Sequence, residues 1–172
     1  MNQDWKISPI HENILKILFA DFNGNEKFKI LDAGSGRTSL SFLTEYFKNS
    51  LISAVIYPGD ERKKSGIIES VKADNYYLEE TDLNEHVQKT DFDIVLAHLL
   101  LGEAQKFSKE PFSKMLDSLF NIRTKYLVIV DILDDPSIDY KMFSEYISRK
   151  GKILKDVKED KYVGFLIQKN LL

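Results

Sequence analysis

The chain has 172 residues, a formal net charge of −3, and hydrophobic and charged fractions of 43% and 30%. These values are typical of a soluble globular protein with one domain and a full core. The mild acidity argues against a general nucleic-acid binder, and the absence of cysteine excludes disulfides, thiolate metal sites and a cysteine nucleophile. We find no run long enough for a membrane span and no signal peptide at the start, so we expect a cytoplasmic protein.

The chain begins with an arm and a helix, for which we assign residues 1–26. Ser8 is the expected N-cap, and Pro9 occupies the first helical position. The helical spacing predicts an apolar face that would lie on a sheet. The predicted members of that face are Ile10, Ile14, Ile17 and Leu18.

The core, residues 27–172, begins with a short apolar run that stops at Asp32 and is followed by Gly34 and Gly36. Apolar residues then recur at helical spacing, at Leu40, Leu43 and Phe47. The pattern predicts a strand, a tight turn and a helix. Glycines allow such a turn to bend sharply and to admit a ligand closely, and the start of the helix offers unpaired N–H groups.

Further strands and helices alternate along the rest of the core. The predicted strands cover residues 51–57, 76–78, 92–98, 126–130, 153–157 and 162–167. The predicted helices begin near Asp60 (core residues Ile67, Ile68 and Val71), at Ser108 (Phe112, Met115, Leu116, Leu119 and Phe120) and at Asp135-Pro136 (Met142, Phe143, Tyr146 and Ile147). Gly151 is expected to end the last helix, and Asp82 with Glu85 has the form of a capping box.

This alternation predicts a mostly parallel sheet with helices on both faces. The last two strands are joined by a short charged turn, so they must be antiparallel. Ligands of such sheets bind at the carboxyl ends of the strands. The segments expected along that edge are 32–36, 57–60, 81–83 and 97–98, together with Asp131.

The pattern resembles the class I S-adenosylmethionine-dependent methyltransferases over essentially the whole chain. Residues 31–36 look like the glycine-rich first motif of that family, and Thr81-Asp82-Leu83 followed by residues 92–95 looks like its adenine-binding segment. The closing hairpin matches the reversed last strand, which inserts between the fifth and sixth strands. The resemblance implies an α/β fold: a Rossmann-like, doubly wound, seven-stranded sheet, mostly parallel, with an antiparallel C-terminal hairpin strand and one preceding helix.

The resemblance also implies S-adenosylmethionine as cofactor, with S-adenosylhomocysteine as product. Asp32 would lie near the amino group of the cofactor, and Asp82 could accept from the adenine amino group with Leu83 against the ring. The alternative for Asp82 is a plain helix cap, and the two roles need not exclude each other. The implied cofactor-binding residues are Asp32, Ala33, Gly34, Ser35, Gly36, Tyr57, Asp60, Thr81, Asp82, Leu83 and Ala97.

The sequence departs from the family pattern at two places. Thr38 stands where the first motif usually has its third glycine, and the second strand ends in Tyr57-Pro58-Gly59-Asp60 instead of running directly into an acid. Either Asp60 reaches the ribose, or Tyr57 stacks on adenine while other groups take the hydroxyls. Asp60 as a helix N-cap is the third reading.

Methyl transfer needs mainly the alignment of donor and acceptor, and a general base is optional. His98, directly after the predicted fourth strand, is a candidate proton acceptor; its alternative is a structural histidine at a strand end. Glu103 is a weaker candidate. The Asn-Pro-Pro-Tyr type of motif is absent, which favours a small-molecule acceptor over a nucleic-acid base.

Two other patterns carry no functional prediction. Asp131, Asp134 and Asp135 could suggest a metal-assisted site, but Ala97-His98 stands where that arrangement needs an acid, so we expect no metal. Tyr146 and Lys150 match a dehydrogenase-type Tyr-x-x-x-Lys motif away from the strand ends, which we interpret as chance.

The sequence therefore predicts a methyltransferase with an unknown acceptor. An NAD(P)-dependent oxidoreductase and a non-catalytic cofactor-binding domain are the alternatives. The chain has almost no insertion that could enclose an acceptor. The pocket would then be completed by the 1–7 arm, which carries Trp5, or by a second subunit in a homodimer.

Overall fold

A computed structural model of the chain describes residues 8–59, 66, 68, 70–83, 90–101, 112–133 and 140–170. The described helices are α1 (Pro9–Phe19), α2 (Arg37–Tyr46), α3 (Phe112–Asn121) and α4 (Tyr140–Ser148). The strands are β1 (Lys29–Ala33), β2 (Leu51–Ile56), β3 (Tyr76–Glu80), β4 (Phe92–His98), β5 (Thr124–Ile132), β6 (Gly151–Glu159) and β7 (Tyr162–Lys169). Every predicted strand is present; β3 and β7 extend two residues beyond the predicted end, β5 and β6 extend two residues at both ends, and β2 is one residue shorter.

The strands form one seven-stranded sheet in the order β3-β2-β1-β4-β5-β7-β6. The pairs among β1 to β5 are parallel, whereas β7 is antiparallel to both β5 and β6. The predicted mostly parallel sheet with an inserted, reversed last strand is therefore confirmed. The strand order reverses beside β1, so the carboxyl ends of β1 and β4 form a topological switch point.

Helices cover both faces of the sheet. Leu40, Leu43 and Phe47 of the α2 segment are fully buried on the face that α1 also covers. Leu116 and Leu119 of α3 and Phe143 and Ile147 of α4 are buried on the opposite face. Each fully buried side chain of this kind contributes about 1.5–3 kcal/mol. Four of the parallel strands, β1, β2, β4 and β5, are mostly buried between these layers, whereas the edge strand β3 is half-buried to exposed.

The buried face of α1 differs from the predicted one. Ile14 and Leu18 are buried as expected, but Ile17 is 41% exposed. The core is instead filled by His11, Leu15 and Phe19. Gly164 of β7 brings α1 close to the sheet, because a Cβ there would lie 2.7 Å from Ile14 Cγ2 and 2.9 Å from Leu18 Cδ1. Ser8 is the N-cap by position, but its side chain makes no capping hydrogen bond.

The predicted role of Gly151 as a helix stop is wrong. Helix α4 ends at Ser148, and Gly151 is the first residue of β6, paired with Lys169. A Cβ at this position would lie 2.7 Å from Ile167 Cγ2 and 3.0 Å from the Gln168 carbonyl oxygen. The glycine is required by close strand packing and not by the helix end.

Some predicted features lie outside the described residues. These include Asp60 and Ile67 of the third predicted helix, Glu85 of the capping box, the helix starts at Ser108 and Asp135-Pro136, and the 1–7 arm with Trp5. Ile68 is fully buried, and Val71 packs against the α1/α2 face of the core. None of the described helices is long and apolar enough to cross a membrane.

Candidate functional site

The turn between β1 and α2 is built around a buried acid and a left-handed glycine. Asp32 and Ala33 end β1, and both are fully buried. Gly34 has a φ of +72°, which side chains rarely tolerate, and a Cβ there would lie 2.6 Å from Leu100 Cδ1. The backbone conformation therefore requires glycine at this position, and a Cβ there would in addition displace the end of the Leu100 side chain.

The side chains of the turn hold Asp32 in place. Ser39, in the first turn of α2, donates from Oγ to Asp32 Oδ2 at 2.9 Å. Ser35 is buried; its Oγ donates to the Asp32 carbonyl oxygen at 2.9 Å, and its N–H donates to the Val55 carbonyl oxygen at 2.8 Å. Gly36 is the N-cap of α2 and donates its N–H to Ser39 Oγ at 3.2 Å. The carboxylate thus has a fixed orientation beside the positive end of a helix.

The end of β2 presents an aromatic ring and a second left-handed glycine. Tyr57 is 66% exposed, and Gly59 has a φ of +80°. Glu80, the last residue of β3, accepts the N–H of Gly59 at Oε1 at 2.7 Å, and this bond fixes the turn. Asp60 lies outside the described residues. The choice between Tyr57 and Asp60 as the cofactor contact therefore stays a prediction.

The segment after β3 lies beside this turn. The N–H of Thr81 donates to the Ile56 carbonyl oxygen at 3.0 Å, which extends the β2–β3 pairing by one bond. Thr81 and Asp82 are half-buried, and Leu83 is buried in the apolar cluster that also contains Val55 and Ala97. The predicted adenine-binding residues and the turn after β2 are thus neighbours at one edge of the sheet.

The chain makes a strained turn after β4. Ala97 is fully buried, His98 is nearly so, and Leu99 has a φ of +57°, with its N–H donating to the Val130 carbonyl oxygen at 2.7 Å. Asp131, near the end of β5, accepts two backbone N–H groups. The N–H of Leu101 donates to Oδ2 at 2.9 Å, and the N–H of Ile132 donates to Oδ1 at 2.8 Å. Asp131 therefore binds backbone.

No group of three or more potential ligands among the described residues could hold a metal ion. Glu103, Asp134 and Asp135 lie outside those residues.

His98 contacts His11, which was not among the predicted site residues. His98 Nε2 and His11 Nδ1 are 3.1 Å apart, within hydrogen-bonding distance, and both side chains are 7% exposed. Burial lowers the pKa of His11. The signal for His11 was present in the spacing 11-14-15-18, which is a helical face as regular as the one predicted.

Tyr146 of α4 and Lys150, two residues beyond α4, share a hydrogen-bond acceptor on α3. Both donate to Asp117 Oδ1 of α3, each at 2.5 Å. Burial, together with the hydrogen bond to Asp117, raises the pKa of Tyr146, so its phenol stays protonated. Both side chains thus bind the same carboxylate of α3, and the interpretation of the motif as chance stays a prediction.

No protein-family model matches the chain, and no curated protein sequence matches it. Solved structures do share its fold. A structure of MtNAS in complex with S-adenosylmethionine superimposes with a TM-score of 0.65 at 12% identity, covering 94% of this chain and 62% of the other. The mitomycin 7-O-methyltransferase MmcR gives a TM-score of 0.62 at 15% identity, with coverages of 94% and 54%.

The 16S rRNA methylase RmtB gives a TM-score of 0.61 at 12% identity, covering 93% of this chain and 62% of RmtB. The chain therefore spans somewhat more than half the length of these three proteins. At such low identity the likeness concerns the fold alone. The chain has the Rossmann-like fold of the class I methyltransferases.

Proposed function

We propose that the chain is an S-adenosylmethionine-dependent methyltransferase that binds its cofactor at the carboxyl edge of β1, β2 and β3. The observation that carries this proposal is the turn of Gly34 to Gly36 around the buried carboxylate of Asp32. A left-handed glycine exposes backbone to a ligand, and a fixed anionic group beside it suits a ligand with an ammonium group. The amino-acid end of S-adenosylmethionine carries such a group.

The remaining edge residues suit the other parts of the cofactor. Asp82 would accept from the adenine amino group, and Leu83 would lie against the ring, with Ala97 in the same buried apolar cluster as Leu83. Either Asp60 would accept the ribose hydroxyls, or Tyr57, with its exposed ring, would stack on adenine. Ala33 and Ser35 shape the turn around Gly34. When bound, the cofactor supplies an electrophilic methyl group, and the chain's residues orient it and move protons.

His98 is the candidate proton acceptor for the group that becomes methylated. Its position at the end of β4 puts it next to β1 at the switch point, where an acceptor would approach. An imidazole takes up a proton near neutral pH, which suits a hydroxyl or amine acceptor. The net charge of −3 and the absence of an Asn-Pro-Pro-Tyr type of motif support a small-molecule acceptor over a nucleic acid.

Calorimetric titration of the full chain with S-adenosylmethionine, S-adenosylhomocysteine and NADH tests the proposal. We expect micromolar binding of the first two ligands and loss of binding in Asp82→Ala and Gly34→Val. Gly66→Val is the matched control, because Gly66 also has a positive φ (+68°), but a Cβ added there would have no atom within 4 Å. Both substitutions strain the backbone, and only one falls in the site.

Binding of NADH alone would overturn the methyltransferase in favour of an oxidoreductase. Absence of binding for all three ligands in a folded protein would leave a non-catalytic domain. A screen of hydroxyl- and amine-bearing acceptors, read by release of S-adenosylhomocysteine, then distinguishes small molecules from RNA.

A further inference from the structure

A groove of about 510 Å³ lies between α2 and the segment 70–73, which precedes β3. Arg37, Ser41 and Thr44 of α2 line one wall, and Lys48 extends that wall just beyond the helix. The spacing of the first three places them on one face of the helix. Small-molecule sites typically enclose about 300–1,000 Å³, so the groove has the size of such a site. None of the described residues assigned to the proposed cofactor site lines it.

Hydrogen bonds hold the second wall of the groove against α2. The side-chain amide of Asn75 donates to three carbonyl oxygens around the C-terminal end of α2, at 3.2–3.3 Å. The hydroxyl of Tyr76 donates to the Val71 carbonyl oxygen at 3.2 Å. Because these bonds fix the segment at two points, the groove is present without a ligand.

The described lining of the groove carries three cations, Arg37, Lys48 and Lys72, and one carboxylate, Glu45. None of these four side chains forms an ion pair with another residue that the structure describes. Three positive charges against one negative give the lining a net charge of +2, in a chain whose net charge is −3. A concave surface with unpaired cations attracts anions.

The composition of the lining favours a phosphate group over a single carboxylate. A phosphate monoester carries a charge of about −1.5 to −2 at pH 7, which balances the groove, whereas one carboxylate would leave it positive. Guanidinium and ammonium groups are also the usual donors to phosphate oxygens. Ser41 adds a half-buried hydroxyl, and Val71 and Ala73 add apolar surface for the remainder of a ligand.

We propose that the groove between α2 and the segment 70–73 binds a phosphate-bearing small molecule, whose charge is balanced by Arg37, Lys48 and Lys72. This site is separate from the proposed cofactor site, and its ligand binds whether or not the chain transfers methyl groups. The attraction is between solvent-accessible charges, so the affinity decreases as the salt concentration rises.

Nuclear magnetic resonance of the ¹⁵N-labelled full chain, titrated with inorganic pyrophosphate, tests the proposal. We expect saturable shifts of backbone amides in α2 and in the segment 70–73, and weaker binding in added sodium chloride. Shifts spread over the surface of the chain without saturation would indicate an adventitious ion only and would overturn the proposal. The same holds if millimolar pyrophosphate causes no shift.

Two lysine variants separate the groove from general attraction to the surface. Lys72→Gln and Lys27→Gln remove the same charge from two exposed side chains, and Lys27 likewise has no ion pair with a described residue, but it does not line the groove. We expect pyrophosphate to bind about 10-fold more weakly to Lys72→Gln, because a charge-assisted contact is lost. Lys27→Gln should change the affinity by less than about 2-fold, because distant surface charges are screened. Equal losses in both variants would again mean an adventitious ion only.

Glu45→Gln gives a prediction of the opposite sign. The substitution removes a carboxylate that repels phosphate from the lining, so pyrophosphate should bind more tightly. An unchanged or lower affinity would contradict the placement of the phosphate in this groove.

Two further titrations separate the groove from the proposed function and from a nucleic-acid site. Lys72→Gln should leave the affinity for S-adenosylmethionine unchanged, and pyrophosphate should not compete with that cofactor. Competition between the two ligands would place pyrophosphate in the cofactor site and overturn the separate groove. A short single-stranded RNA that shifts the same amides when pyrophosphate does not would assign the groove to a nucleic acid instead.

Discussion

Asp32 and Asp131 are both buried carboxylates at the carboxyl edge, one on each side of β4, but the chain holds them differently. Both oxygens of Asp131 accept backbone N–H groups, from Leu101 and from the following residue. Asp32 Oδ2 accepts instead from the hydroxyl of Ser39. A carboxylate bound to backbone fixes a loop. Asp32, which a side chain orients, is the carboxylate that the proposed function assigns to the ligand.

The largest expected effect is on stability, from Asp131→Ala. The substitution leaves two backbone N–H groups without their charged acceptor, and each such bond contributes about 1.5–3 kcal/mol. We expect a loss of about 3 kcal/mol or more in the free energy of unfolding, measured by urea denaturation. Asp131→Asn keeps one acceptor oxygen and should lose clearly less. Equal losses for the two variants would show that the hydrogen bonds are not the cause.

Asp32→Asn should change stability little and cofactor affinity strongly. The amide keeps the shape and the bond from Ser39 Oγ but removes the charge from a buried position, so we expect unfolding free energy to change by under about 1 kcal/mol. Affinity for S-adenosylmethionine should fall by about 10-fold to 100-fold, because a charge-assisted bond to its ammonium group is lost. Unchanged affinity in calorimetry would contradict the ligand role of Asp32.

Glycine-to-alanine substitutions test why the turn beside Asp32 needs glycine at position 34. Gly34 and Gly66 both have positive φ values, and alanine in that conformation costs about 1–2 kcal/mol at either position. Only at Gly34 does the new Cβ meet another atom, Leu100 Cδ1. We therefore expect Gly34→Ala to be the more destabilising variant in thermal and urea unfolding, and the only one that weakens cofactor binding.

The last expected effect concerns pH and the buried His11 of α1. Burial lowers the pKa of His11, so the unfolded chain binds a proton more readily than the folded protein as the pH falls through 6.5. Stability present above that pH is then lost on acidification, at up to about 1.4 kcal/mol per pH unit for one proton. His11→Phe should flatten this slope between pH 7 and pH 5. An unchanged slope would assign it to other groups.

The strands were predictable because each is a short apolar run bounded by turn residues. Even the inserted position of β7 followed from the resemblance to the methyltransferases. The turn at Gly34 was predicted from an acid and two spaced glycines because an apolar run precedes them and a helical pattern follows them. Here local sequence and tertiary structure require the same residues.

The features that the sequence did not predict depend on contacts between distant segments. The apolar residues of α1 are compatible with two neighbouring helical faces, and only the packing against Gly164 selects the one with His11. The tight contact of Gly151 with Ile167 is likewise invisible in the local pattern. Glu80, at the end of β3, accepts the N–H of Gly59 in the turn after the neighbouring strand β2. No spacing along the chain indicates this bond.

The insertion of β7 between β5 and β6 has a consequence for how the chain folds during synthesis. β7 follows the other six strands of the sheet along the chain and is therefore made after them, yet it lies in the interior of the sheet. Until it emerges, the apolar edge of β5 lacks its antiparallel partner, and an unpaired edge of this kind is a template for aggregation. Chains truncated before Tyr162 should therefore be prone to self-association, with their parallel half already formed.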